Sequence, residues 1–139
     1  MHVLPYLYFE GRCHEALRFY EKALGAEITA VLRFDQSPEP HPPGVLAPGA
    51  EKNVMHAEFR IGGTTLFASD GPRIGQAKFE GISLTLAVAD DAEAKQTFAA
   101  LADGGAVGQP LTETFFATSF GMLTDRFGVG WIVIAAKED

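Results

Sequence analysis

The chain has 139 residues, of which 47% are hydrophobic and 21% charged, an ordinary globular composition for one domain or two small units. Eighteen acidic against eleven basic residues leave a net charge of −7, the wrong sign for a nucleic-acid surface. No apolar run approaches the roughly 20 residues that span a bilayer, and the N-terminus lacks the basic and apolar regions of a secretory signal. A cytoplasmic protein with no membrane or nucleic-acid partner is therefore expected, and the single Cys13 excludes an internal disulfide.

Val3 to Phe9 is a short aromatic run that predicts a strand, broken at Gly11. Cys13, Ala16, Leu17, Tyr20, Ala23 and Leu24 then recur at helical spacing, with Arg12, Glu15, Arg18, Glu21 and Lys22 on the opposite face. Gly25 stands where a helix-terminating glycine belongs. Glu27 to Phe34 predicts a second strand. The stretch 36–52 holds five prolines and two glycines, which remove backbone donors and fix φ, so a long surface loop is expected there. Asn53–Ile61 and Thr64–Asp70 predict two strands joined by a hairpin at Gly62-Gly63.

A linker at 71–81 leads to a second strand-and-helix pattern. Gly81 to Ala89 predicts a strand, and Asp90 with Glu93 forms a capping-box-like start to a helix. Ala94, Phe98, Leu101 and Ala102 give that helix its apolar stripe, and Gly104-Gly105 ends it. Strands are predicted near 106–111, 118–124 and 129–135, with a turn at 125–128. The order is βαβββ, twice.

The two halves are related in sequence as well as in order. At a spacing of 78 residues, Glu15-Ala16 meets Glu93-Ala94, Tyr20 meets Phe98 and Ala23 meets Leu101. The same spacing sets Leu4, Tyr6 and Tyr8 against Ile82, Leu84 and Leu86. The repeat divides the domain, residues 1–139, into modules 1–72 and 80–139 and directs attention to a site between them.

Pro5-Tyr6-Leu7, Phe9, Gly11, Glu15-Ala16, Phe19-Tyr20, Leu24-Gly25, Met55-His56-Ala57, Ala68-Ser69-Asp70 and the block 111–131 carry a resemblance over nearly the whole chain. They resemble the PhnB-like branch of the vicinal oxygen chelate superfamily, which includes glyoxalase I, extradiol dioxygenases and bleomycin-resistance proteins. The resemblance implies an α+β fold, with two βαβββ modules forming curved mixed sheets around a cavity. It also implies a homodimer. Some PhnB-like proteins carry a demethylubiquinone methyltransferase label. This sequence has no Gly-rich loop between a strand and a helix to support it.

The metalloenzymes of the superfamily hold a divalent cation with His and Glu side chains from the sheets. Anchored on the helices and the last turn, those positions fall on Pro5, Ser83 and Ile132. Neither Pro nor Ile can coordinate, so no metal and no cofactor are expected. Two functions follow as expectations: a metal-free protein binding a small apolar or aromatic molecule, or a glyoxalase-related enzyme with a non-standard site.

For the enzyme, the candidate catalytic residues are His56, Glu58 and Asp70. Strand alternation puts His56, Glu58 and Arg60 on one face, and Met55, Ala57, Phe59 and Ile61 on the other, beneath the helices. His56 could act as a base oriented by Glu58, or simply be a hydrogen-bonded strand residue. Asp70 could assist His56, or cap the turn with Gly71-Pro72. For the binding protein, Phe115, Phe116, Phe120, Ser83 and Trp131 are the candidate ligand-binding residues, with core or dimer packing as the other reading of the aromatics. His2 lies at the terminus, His14 near the polar face of the first helix and His41 in the proline-rich loop. Cys13 has no assigned cation to ionise it and reads as a helix-core residue.

Overall fold

A computed structural model describes residues 1–39, 44–72 and 75–138. It separates into two compact units, Met1–Ala77 and Lys78–Asp139. Each unit is one helix laid on one face of a four-stranded mixed sheet, so the α+β architecture of two βαβββ modules is observed.

In the first unit the strands β1 (Tyr6–Tyr8), β2 (Glu27–Arg33), β3 (Val54–Ile61) and β4 (Thr64–Ser69) stand in the order β1-β4-β3-β2. β1 runs parallel to β4, and the other pairs are antiparallel. The helix α1 (Cys13–Leu24) is the crossover that a parallel pair requires. It buries Cys13, Ala16, Leu17 and Tyr20 of the apolar stripe read from the sequence, and Ala23 and Leu24 are half-buried. Tyr20 lies parallel to Phe59 of β3 at a centroid distance of 6.0 Å, and both rings are fully buried. Burial of a ring of this size contributes about 1.5–3 kcal/mol. The outer face carries the ion pairs Arg12–Glu15 and Arg18–Glu21, both exposed. Gly25 ends the helix at φ +66°, its N–H donating to the Glu21 carbonyl and the Ala26 N–H to the Tyr20 carbonyl.

β1 is shorter than the predicted strand. The proline-rich stretch 36–52 lies partly outside the described residues, at 40–43, and His41 is among those. Its described flanks contain a single 3-10 turn, Phe34–Gln36, and are tied down by the Asp35 N–H to the Glu51 carbonyl and the Ala47 N–H to the Pro72 carbonyl.

The second unit repeats the arrangement, with β5 (Leu84–Ala87), α2 (Asp91–Ala102), β6 (Ala106–Thr112), β7 (Ala117–Thr124) and β8 (Gly130–Ala136) in the sheet order β5-β8-β7-β6. Asp90 caps α2 by accepting from the Glu93 N–H at 2.8 Å, and Glu93 accepts from the Ala89 N–H at 3.1 Å. The capping pair read from the sequence is therefore present, displaced by one residue on its return bond. Ala94, Phe98 and Leu101 are buried against the sheet. Among the described residues, no helix is long and apolar enough to cross a membrane.

The helices obey the 78-residue spacing but the first strands do not. Leu7 is buried and Tyr6 and Tyr8 are exposed, whereas Leu84 and Leu86 pair with the buried Trp131 and Val133. Side chains alternate every residue along a strand, so the true correspondence is one residue away. The same parity corrects the ligand position assigned to Pro5. The β1 residues on the helix-free face are Tyr6 and Tyr8.

Candidate functional site

The helix-free face of the first sheet is built by alternation. In the β3–β4 register Glu58 stands opposite Phe67, and in the β1–β4 register Tyr6 stands opposite Phe67 and Tyr8 opposite Ser69. His56, two residues from Glu58, joins the same face, opposite Leu32 of β2. Of the β3 residues expected beneath α1, Ala57 and Phe59 are fully buried, and Met55 and Ile61 are half-buried.

Three polar groups on this face form a chain. The Tyr6 hydroxyl lies 2.9 Å from His56 Nδ1, and His56 Nε2 lies 3.3 Å from Glu58 Oε1. Aromatic rings surround it. Tyr6 stacks on Tyr8 at 5.0 Å, and Phe67 lies 5.3 Å from the imidazole and 5.9 Å from Tyr6. Burial pushes the Tyr6 phenol upward, as does the neighbouring Tyr8, and the Ser69 hydroxyl opposes them. The phenol is thus protonated at neutral pH. Tyr6 is 39% exposed and Tyr8 53%, so the aromatic face is open to a ligand.

Asp70 does not belong to this face. It is 2% exposed, and its carboxylate is used up by backbone donors. Oδ1 accepts from the N–H groups of Gly11 at 2.7 Å and Cys13 at 2.8 Å, and Oδ2 accepts from the Val54 N–H at 2.8 Å. The catalytic reading of Asp70 is corrected accordingly: it caps α1 and ties β4 to β3. The turn-capping reading is corrected too, because the Gly71 N–H donates to Ser69 Oγ. Cys13 is buried beside it, and burial first and the Asp70 charge second push its thiol far up, away from a reactive thiolate.

The ligand-binding set proposed for the second module divides. Phe115, Phe116 and Phe120 form an edge-to-face series with centroids 5.0 and 5.4 Å apart. Phe115 and Phe116 lie in the bend before β7 rather than on a strand, which lets neighbouring residues touch each other. Phe115 is 92% exposed. Ser83 is exposed just before β5. Trp131 is corrected outright. It is 3% exposed, its Nε1–H donates to Asp125 Oδ2 at 2.9 Å, and it pairs in register with Leu123, on the buried side of the sheet. Asp125 also accepts from Phe127 and Val129 N–H groups, which builds the turn expected at 125–128.

Tyr6, Tyr8 and Phe67 were not singled out as site residues from the sequence. The period-2 rule that placed His56 and Glu58 on one face also reaches Tyr6 and Tyr8, once β1 is known to pair with β4.

A divalent cation of the kind the superfamily employs needs several converging oxygen or imidazole ligands. Among the described residues, no group of three or more His, Cys, Asp or Glu side chains could hold one. On the open face of the first sheet the donors are His56, Glu58 and a protonated phenol, and the imidazole and carboxylate are engaged with each other. In β5 and β8 the paired residues are Thr85 and Ile132. These residues do not fit the superfamily's metal.

The architecture is that of the glyoxalase/bleomycin-resistance fold. A Frankia glyoxylase/bleomycin resistance protein/dioxygenase domain superposes over 99% of this chain and 98% of its own with a TM-score of 0.65, at 14% identity. Nearer relatives resolve the branch. Protein PA1353 from Pseudomonas aeruginosa has a TM-score of 0.85 and 42% identity over 99% of both chains. A Bacillus cereus structure described as a putative 3-demethylubiquinone-9 3-methyltransferase, PhnB protein, has a TM-score of 0.80 and 30% identity, covering 98% of this chain and all of its own. Protein YjdN of Escherichia coli is 34% identical over 99% of this chain and 97% of its own length. A family model described as 3-demethylubiquinone-9 3-methyltransferase matches residues 1–134. The chain belongs to that family, the PhnB-like branch of the vicinal oxygen chelate superfamily.

Proposed function

We propose that this protein binds a small aromatic molecule on the helix-free face of its first sheet, without a divalent metal. The observation that carries the reading is the Tyr6–His56–Glu58 chain set among the rings of Tyr8 and Phe67. Such a surface offers apolar area for a planar ring and one polar group to orient it, the combination that small-molecule sites share. The family description names a quinone derivative, 3-demethylubiquinone-9, and a planar ring of that kind suits this face. The reading also includes a homodimer in the cytoplasm.

The test is calorimetric titration of purified protein with a panel of substituted benzenes and quinones, alongside elemental analysis after nickel-free purification. Saturable binding to metal-free protein, weakened at least several-fold in His56→Ala, supports the reading. A stoichiometric metal that is lost in His56→Ala overturns the metal-free part. Failure of every aromatic probe to bind overturns the whole.

A second reading keeps the same residues and makes them catalytic. A carboxylate beside one imidazole nitrogen orients the ring, and the phenol beside the other can relay a proton to it, the arrangement of a general base that acts through Tyr6. Proton abstraction next to a carbonyl would then exchange a ligand C–H for deuterium in D2O. That exchange, abolished in His56→Ala, would establish enzyme over binder.

A further inference from the structure

The bonding within the Tyr6–His56–Glu58 chain determines what the site can say to a ligand. A carboxylate has no hydrogen to give, so the Glu58–His56 bond requires the hydrogen to be on Nε2. A neutral imidazole with Nε2–H has a lone pair on Nδ1, which only accepts. While the imidazole is neutral, the 2.9 Å contact to Tyr6 is therefore a bond that the Tyr6 hydroxyl donates. Its hydrogen is committed to His56, so the oxygen has only lone pairs to offer a ligand. The neighbouring hydroxyl does not compensate, because Ser69 Oγ donates to the Val54 carbonyl at 3.2 Å.

Resting on the binding face proposed above, we infer that Tyr6 makes this an acceptor site: it selects planar aromatic ligands that carry a hydrogen-bond donor, phenols foremost, over the methyl ethers of the same compounds. Tyr8 and Phe67 supply ring contact to either ligand. Only the phenol brings the hydrogen that Tyr6 lacks. The ether sets oxygen lone pairs against oxygen lone pairs, and in binding it strips water from Tyr6 without replacing its bond. Glu58, partly exposed at the end of the chain, is likewise acceptor-only and strengthens the bias.

Two measurements test this. The first reads the tautomer without any ligand. In 15N-labelled protein at pH 8, His56 is expected to show a protonated Nε2 and an unprotonated Nδ1. A proton on Nδ1 overturns the inference, because Tyr6 would then accept and present its own hydrogen outward. The second is calorimetric titration with catechol and with its dimethyl ether, veratrole. The wild type should favour catechol by on the order of tenfold in Kd, the worth of about one hydrogen bond. In His56→Leu the freed Tyr6 hydroxyl can donate as well as accept, so the gap should shrink to about twofold or less. Equal binding of the two by the wild type overturns the acceptor assignment and leaves the binding face standing, as does a full gap in His56→Leu. Binding of neither overturns the face and the inference with it.

Discussion

At the scale of single residues, Asp70 shows how a candidate for chemistry proves to be a structural keystone. One carboxylate accepts three backbone N–H groups, from the residues around the start of α1 and from the first residue of β3. The residue preceding α1, Arg12, offers no side-chain cap, so the helix takes its cap from a residue 57 positions away. Removing it leaves buried donors unsatisfied. Asp70→Ala is expected to lose roughly 2–4 kcal/mol in urea denaturation. Asp70→Asn should lose less, since one oxygen can still serve Gly11 and Cys13. The folded fraction of either variant should bind an aromatic ligand as the wild type does, since Asp70 is buried away from that face. A variant with wild-type stability and lost binding would return Asp70 to the functional site.

At the scale of elements, the interlocking of helix and sheet is specific enough to forbid a side chain. Gly121 of β7 lies directly under α2. A Cβ placed there would sit 2.6 Å from Phe98 Cε2 and 2.9 Å from Leu111 Cδ2. Phe98 is the ring that the sequence repeat matches to Tyr20, and it is buried. Gly121→Val should therefore destabilise the protein by about 1–3 kcal/mol or more, visible as a lowered melting temperature. A second substitution, Phe98→Leu, makes room and should recover part of the loss. If Gly121→Val melts with the wild type, the packing of α2 on β7 is not as close as described. The repeat also shows its limit at this scale. Helix positions 78 apart match where Ala16 and Ala94, and Tyr20 and Phe98, are buried in both copies, but the first strands are offset by one, and that offset exchanges faces. A site argument that transfers a strand residue from one copy to the other by simple counting lands on the wrong side of the sheet.

At the scale of the molecule, among the described residues the first sheet has β1 and β2 at its edges and the second has β5 and β6. Long unpaired edges attract other strands, and a second copy of the chain is the most economical cover. Light scattering at micromolar concentration should give twice the chain mass of 14.9 kDa. A monodisperse species at the single-chain mass would end the dimer proposal.

The α+β class, the order of strands and helices, the terminating Gly25, the capping pair at Asp90 and Glu93, and the shared face of His56 and Glu58 were all legible in the sequence. Each rests on local periodicity or local turn chemistry, which neighbouring residues express unaided. Three things were decided only by tertiary structure. Asp70 became a cap because β4 ends against the start of α1. Trp131 became core because its strand parity is set by pairing with β5 and β7. Tyr6 met His56 because β1 inserts beside β4, which brings residues fifty positions apart into hydrogen-bond contact. Strand pairing is a long-range choice, and a single residue of register decides which side chains share a face.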